Sequence, residues 1–171
     1  MFVVKEQPMH PEAHTTDLTP EQLADVVRGF ASRPEEWRHL VEHHADRRHY
    51  VQLQVDEHVD IWLICWNDEQ ETGFHDHDVS NGAFAVCDGQ IVEDRLALDG
   101  PRSRSFLAGD TASFDASHVH RLQHTGDEPT VTIHAYSPPL VRMGAYVVRE
   151  DGILERRTIP ASEELRPLAT A

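Results

Sequence analysis

The chain has 171 residues, 39% of them hydrophobic and 26% charged, which are the proportions of one ordinary globular domain rather than a disordered chain. Its formal net charge of −15 argues against a nucleic-acid-binding surface and against docking on an anionic membrane. No apolar run is long enough to span a bilayer, and the N-terminus lacks the apolar region of a signal peptide. We therefore predict a cytoplasmic protein that is a monomer or a small homo-oligomer.

The first part of the chain predicts a helical cap over residues 17–45. Thr19, the proline that follows it and Gln22 occupy the N-cap, first-turn and capping-box positions of a helix, which is predicted over residues 20–31. A second helix is predicted from about Pro34. Both are expected to pack on the outside of the structure that follows.

From Tyr50 onward the pattern changes to short strands separated by Gly-Asp, Asp-Gly and Gly-Pro turns. Many short strands after two helices predict an all-β sandwich or barrel with an N-terminal helical cap, within a single domain of residues 1–171. We expect the barrel to span residues 50–150 and residues 159–171 to form a loosely ordered tail. Strands are predicted over residues 50–55, 59–66, 83–87, 90–98, 104–107, 111–114, 118–123, 130–137 and 144–149.

The two cysteines, Cys65 and Cys87, lie in apolar, strand-like runs. We predict that both are buried free thiols, with a disulfide as the alternative.

Six of the thirteen histidines lie in the predicted β-rich segments, and three of them have the spacing of a metal site. His75 and His77 are two residues apart, so in a strand both side chains point to the same face and can share one ion. His120, on a distant strand, supplies a third nitrogen, and His118 is the alternative because it lies on the same face two residues earlier. Such a site leaves coordination positions open, which distinguishes a catalytic metal site from a closed structural one.

Two motifs of this chain resemble those of the cupin superfamily, whose fold is a double-stranded β-helix, or jelly-roll barrel. In the first motif the two histidines and Gly89 fit the spacing, but Gly82 occupies the position of the usual glutamate ligand. In the second motif Gly109 and His120 match. The resemblance implies a mainly β cupin barrel with two N-terminal helices and a metal held by His75, His77 and His120.

Within the cupins, the chain resembles the thiol dioxygenases, of which cysteine dioxygenase is the type member. The stretch from Thr132 through His134 and Tyr136 to Pro139 is similar to the Ser-x-His-x-Tyr-Ser-Pro-Pro sequence of that family, and bacterial members commonly have glycine where Gly82 stands. The resemblance implies an Fe(II) enzyme that oxidises a small thiol with O2 to a sulfinic acid. It also implies a hydrogen-bond relay from Thr132 through His134 to Tyr136, near the metal.

The resemblance leaves the substrate open between cysteine and a 3-mercaptopropionate-like thiol. Gln52, two residues after Tyr50, stands where cysteine dioxygenases have the arginine that pairs with the substrate carboxylate. Loss of a guanidinium there is not conservative. Arg142, just after the Pro-Pro pair, is the candidate replacement, so Gln52, Tyr50 and Arg142 are the predicted substrate-binding residues. The competing interpretation is a non-redox metal-binding cupin, either a small-molecule sensor or an isomerase.

Overall fold

In the computed structural model, which describes residues 17–97, 100 and 102–167, two antiparallel sheets pack face to face and helices cover one of them. The helical elements are α1 (Pro20–Ala31), α2 (Pro34–Trp37) and a 3₁₀ turn (Arg38–Leu40). The strands are β1 (His49–Val55), β2 (Asp60–Trp66), β3 (His75–Asp76), β4 (Asn81–Asp88), β5 (Gln90–Arg95), β6 (Arg102–Leu107), β7 (Thr111–Phe114), β8 (His120–His124), β9 (Thr130–Ser137), β10 (Arg142–Val148) and β11 (Leu154–Pro160). Residues 1–16 lie outside the described part of the chain. No helix in the described part is both long and apolar enough to cross a membrane.

Helix α1 has the predicted bounds and begins with the predicted capping box between Thr19 and Gln22. The second helix is shorter than expected, because α2 has only four residues before the chain tightens into the 3₁₀ turn that ends at Leu40. Its N-cap residue Arg33 makes no side-chain cap hydrogen bond, and a single uncapped turn has little tendency to propagate.

The sheets have the orders β1-β2-β9-β4-β7 and β11-β10-β3-β8-β5-β6. Alternation along β2 and β9 sends one set of side chains toward the helices and the other into the space between the sheets. The helix-facing set consists of Ile61, Leu63, Cys65, Val131, Ile133 and Ala135. Ile64, Trp66 and Tyr136 belong to the apolar cluster between the sheets. Because both faces of β9 are buried, its inward side chains lie in the interior of the barrel.

Both cysteines are free, as predicted, but only Cys65 is buried, whereas Cys87 is half-buried. Cys65 belongs to the core under the helices and Cys87 packs against it, so neither thiol faces the space between the sheets.

The C-terminal segment differs from the expected loose tail. Residues 154–160 form edge strand β11, which pairs with β10 over its whole length, and the segment Ala161–Leu165 then runs along the opening between the sheets. Leu165 is buried. Alternating charged side chains on a half-exposed edge strand hide the apolar signal of a strand in the sequence. Residues 168–171 lie outside the described part.

Candidate metal centre

Three histidine side chains meet between the sheets. His75 lies on β3, His77 follows that strand, and His120 begins β8 and pairs with His75 across the ladder. The ring centroids are 4.9 Å apart for His75 and His77, 4.6 Å for His75 and His120, and 5.1 Å for His77 and His120. All three are at most 3% exposed, and each offers a nitrogen within 4.8 Å of those of the other two.

Hydrogen bonds determine which ring nitrogen of His75 and of His120 is free to bind a metal ion. Nδ1 of His75 lies 3.1 Å from the carbonyl oxygen of Gly73, and Nδ1 of His120 lies 2.7 Å from a carboxylate oxygen of Glu93. Because both partners are acceptors, each Nδ1 donates a proton and leaves Nε2 with a lone pair. Nε2 of His120 and Nδ1 of His77 are buried and have no hydrogen-bond partner among the described residues. A metal ion would satisfy these orphaned nitrogens, so the residues fit one.

Burial keeps the imidazoles neutral. It lowers the pKa of His75 to about 4 and holds the pKa values of His77 and His120 well below their usual value. Three neutral imidazoles at physiological pH are the protonation state that metal ligation requires.

Glu93 organises the histidines around His120. It accepts a hydrogen bond from Nε2 of His118 at 2.9 Å as well as the one from His120. His118, the alternative ligand considered from sequence, points to this carboxylate, and Glu93, His118 and His120 form a second buried group with metal-ligand spacing that shares His120 with the first. A carboxylate behind a ligating histidine is a frequent arrangement in metal sites, where it orients the ring and raises its basicity. The sequence patterns did not identify Glu93.

A further group with metal-ligand spacing, Glu42, His44 and His49, lies at the surface, with an exposed carboxylate. It lacks the burial of the central cluster.

Gly82, which stands where other cupins have a fourth carboxylate ligand, is closed to any larger side chain. A Cβ atom added there would lie 2.3 Å from the ring of Phe114. The same ring stacks on His77 at a centroid distance of 4.9 Å. The barrel therefore fills this position with an aromatic wall, and position 82 contributes no carboxylate to the candidate centre.

The inward side chains of β9 form a hydrogen-bonded row. Thr132 Oγ1 lies 2.9 Å from Nε2 of His134, whose Nδ1 lies 3.2 Å from the hydroxyl of Tyr136. At its far end Trp66 donates to Thr132 Oγ1 at 2.8 Å. Since the indole N–H can only donate, Thr132 accepts there and donates its own hydroxyl proton, and His134 is a nearer acceptor than the carbonyl oxygen of Ile64 at 3.4 Å.

The donation from Trp66 to Thr132 determines the direction of hydrogen-bond donation along Thr132, His134 and Tyr136. With Nε2 accepting from Thr132, the neutral ring of His134 carries its proton on Nδ1 and donates it to the oxygen of Tyr136. Burial lowers the pKa of His134 to about 3 and raises that of Tyr136 above its usual value. Tyr136 is thus a neutral phenol whose own proton is available for a group in the cavity.

One cavity of about 180 Å³ connects His75, His134 and Tyr136. It is smaller than the pockets of about 300–1,000 Å³ that hold drug-sized ligands, so its occupant has few heavy atoms. Its other walls are mainly aromatic and aliphatic, with the C-terminal segment along one side.

The three predicted substrate-binding residues have different positions. Tyr50 lines the cavity. Gln52 is exposed and donates to Asp60 at 2.8 Å, whereas Arg142 is exposed and pairs with Asp78 at 2.6 Å. Gln52 and Arg142 are absent from the described walls of the cavity.

The cation that does line the cavity is Arg48, which sequence analysis missed. It is 4% exposed and lies two residues before Tyr50. The alternation of side chains along β1, extended two residues back from Tyr50, would have placed Arg48 on the inner face of the sheet. Arg48 was missed because it precedes the first residue of the strand.

Two sheets enclosing a buried three-histidine cluster define a cupin-type barrel with a candidate metal centre. Comparison with solved structures agrees on the fold. A double-stranded β-helix protein from Klebsiella pneumoniae has a TM-score of 0.53 at 14% identity and covers 70% of this chain and 91% of its own. A cupin superfamily protein from Desulfitobacterium hafniense has a TM-score of 0.52 at 13% identity, covering 60% and 87%.

Residues 13–149 match the family model of cysteine dioxygenase type I, and the chain therefore belongs to that family. Among curated relatives, cysteine dioxygenase type 1 of Danio rerio is 26% identical over 145 residues, which cover 77% of this chain and 71% of the relative. The corresponding protein of Homo sapiens is 23% identical over 138 residues, covering 72% and 67%. The family agrees with the resemblance inferred from the motifs.

Proposed function

We propose that this chain is an Fe(II)-dependent thiol dioxygenase that converts a small thiol and O2 into a sulfinic acid. The observation that carries the proposal is the neutral three-imidazole cluster, which opens through His75 into the cavity that also contains Tyr136. The reaction adds both atoms of O2 to the thiol sulfur, so that R–SH and O2 give R–SO2H with no further reductant.

In this proposal His75, His77 and His120 hold the iron, and Glu93 fixes the orientation of His120. Bound Fe(II) supplies open coordination positions for the thiolate and O2, together with the redox chemistry that activates O2. The ring of Phe114 against Gly82 leaves no room for a side chain at this position, so position 82 would supply no fourth protein ligand to the iron.

Thr132 and His134 act as positioning residues for Tyr136. Burial keeps the phenol neutral, and the row of hydrogen bonds directs its proton into the cavity, where it can donate to an oxygen or sulfur atom of a reactant. The ring of Tyr136 also stacks on His77 at a centroid distance of 5.0 Å, which keeps the hydroxyl on the metal side of the barrel. Aromatic and aliphatic walls limit the access of water to this space.

Oxygen uptake by iron-loaded protein with cysteine, 3-mercaptopropionate and cysteamine tests the proposal. We expect uptake of one O2 per sulfinic acid formed, identified by mass spectrometry, and loss of bound iron in the His77→Ala variant. Zinc-loaded protein is the control for redox dependence. Absence of uptake with every thiol would contradict the proposed function and favour the non-redox interpretation, because imidazole ligands also accept other divalent metals. Stoichiometric iron in His77→Ala would instead contradict the assignment of His77 as a ligand.

A further inference from the structure

The cavity beside the candidate metal centre contains one buried cation among its described walls, and this is Arg48. Its guanidinium lies over the rings of Trp66 and Tyr50, at 4.9 and 5.5 Å from the ring centroids. A guanidinium buried among aromatic rings in a chain of net charge −15 is costly unless a negative group compensates it.

The compensation within the protein is incomplete. Glu164 accepts from the backbone N–H of Arg48 at 3.0 Å and from its Nε at 3.4 Å, and the carbonyl oxygen of Leu165 accepts from Nη2. The other oxygen of Glu164 accepts from Arg166 at 2.7 Å, so one carboxylate is shared between two guanidinium groups. An arginine has five N–H donors; Glu164 and Leu165 use two of them, and Arg48 makes a further side-chain hydrogen bond with Tyr50.

The same contacts orient the arginine. Glu164 and Leu165 hold one edge of the guanidinium from the C-terminal segment, and this leaves donors for a ligand inside the cavity. Arg48, His75 and His134 line the same cavity of about 180 Å³, so a molecule of a few heavy atoms can contact both the guanidinium and the histidine side of the cavity.

We propose that Arg48, and not a residue at the position of Gln52, binds the carboxylate end of the thiol substrate. The inference rests on the proposed function. Planar guanidinium matches a carboxylate with two parallel hydrogen bonds. The acidic residues in the cavity wall do not favour an amine instead, because Glu164 is already paired with two arginines and Glu163 is exposed.

The test compares two thiols of similar length, 3-mercaptopropionate and 3-mercaptopropanol, which differ in their carboxylate and hydroxyl ends. Binding to metal-loaded protein is measured by anaerobic calorimetry, and turnover by oxygen uptake. We expect Arg48→Gln to weaken binding of the acid and to raise its KM by about 10- to 100-fold, as loss of a charge-assisted pair predicts. Binding of the alcohol should change by less than about threefold.

Arg149→Gln, on the surface and paired with Asp151, is the matched control. Arg48→Lys keeps the positive charge but not the two parallel N–H donors, so we expect it to weaken binding of the acid by an intermediate factor and to leave binding of the alcohol nearly unchanged. This variant keeps the test possible if Arg48→Gln does not fold. Equal weakening of both thiols, or acid binding retained in these variants, overturns the inference, as does an acid-selective loss in Arg142→Gln. If wild-type protein oxidises no thiol, the proposed function fails, whereas calorimetry still reports whether the acid binds through Arg48.

Discussion

At the scale of single residues, the candidate metal centre depends on a carboxylate outside the ligand set. Glu93 lies on β5, next to the strand that carries His120, and accepts from two imidazole N–H groups. It thereby directs Nε2 of His120 toward the other two rings. Trp66 has a comparable effect on the hydrogen-bonded row of β9, because it can only donate to Thr132, and this determines which nitrogen of His134 carries the proton.

We predict that Glu93→Ala lowers the affinity for Fe(II) or Co(II) by about 10- to 100-fold, the usual effect of removing such a partner. Two buried N–H donors lose their acceptor, and His120 can rotate. Glu93→Gln should lose less, since an amide oxygen still accepts both bonds without the negative charge. Metal titration with optical detection measures the affinity, and Glu155→Gln on β11, a half-buried carboxylate paired with Arg157 away from the histidine cluster, is the control. Wild-type affinity in Glu93→Ala would show that His120 needs no support.

At the scale of elements, the two-residue strand β3 has few backbone ladder positions of its own, although it carries a candidate ligand, His75. It pairs with β8 at one position and with β10 at two. The side chain of Asp76 supplies further hydrogen bonds that hold β3 in place. It accepts from the backbone N–H of Gly144, the hydroxyl of Tyr146 and the guanidinium of Arg156. Although burial opposes it, these hydrogen bonds from Arg156 and Tyr146 hold the pKa of Asp76 well below its usual value.

We predict that Asp76→Asn lowers the free energy of unfolding by about 2 kcal/mol, since the charge-assisted bonds to β10 and β11 weaken. Metal affinity should fall with it, because the two flanking histidines lose their anchor. Urea unfolding of the metal-free protein and a metal titration provide the two measurements. Asp151→Asn, in the exposed turn between β10 and β11, is the control. Unchanged stability and affinity would mean that the backbone ladder alone holds β3.

At the scale of the whole molecule, burying so many neutral imidazoles ties stability to pH. His134 has a pKa of about 3 in the folded protein, against an ordinary value of about 6.5 in the unfolded chain. Above pH 6.5 the ring is neutral in both states and contributes no pH dependence. As the pH falls below 6.5, the unfolded state takes up a proton that the folded state excludes, so stability is lost on acidification down to about pH 3.

We predict that the metal-free protein is less stable at pH 5 than at pH 7.5, with His134 alone contributing about 2 kcal/mol. The buried His75, His77 and His120 act in the same direction, because their pKa values are also lowered. Denaturant unfolding at the two pH values, with a chelator present, measures the difference, and His134→Gln should reduce it. Equal stability at both values would indicate that water reaches these rings.

The sequence predicted those features that depend on residues close together in the chain, and it missed those that depend on residues far apart. Helix α1 and its capping box were predictable, because a cap is made within four residues. The inward set on β9 followed from alternation within one strand. The short β3 and the polar edge strand β11 have weak local patterns, so only pairing with neighbouring strands defines them. The cytoplasmic location and the oligomeric state remain predictions.

By itself, the sequence determined the barrel class, the cysteine dioxygenase family and the candidate histidine set, because strand period and motif spacing are local properties of the chain. Only the tertiary structure decided what surrounds that set. Arg48 meets Glu164 across 116 positions of sequence, and Glu93 meets His120 across 27. Such pairs arise when a barrel closes and brings distant strands and the C-terminal segment to one cavity. Arg48, the proposed contact for the carboxylate end of the substrate, lies just before the first strand and outside the motifs that the sequence analysis used.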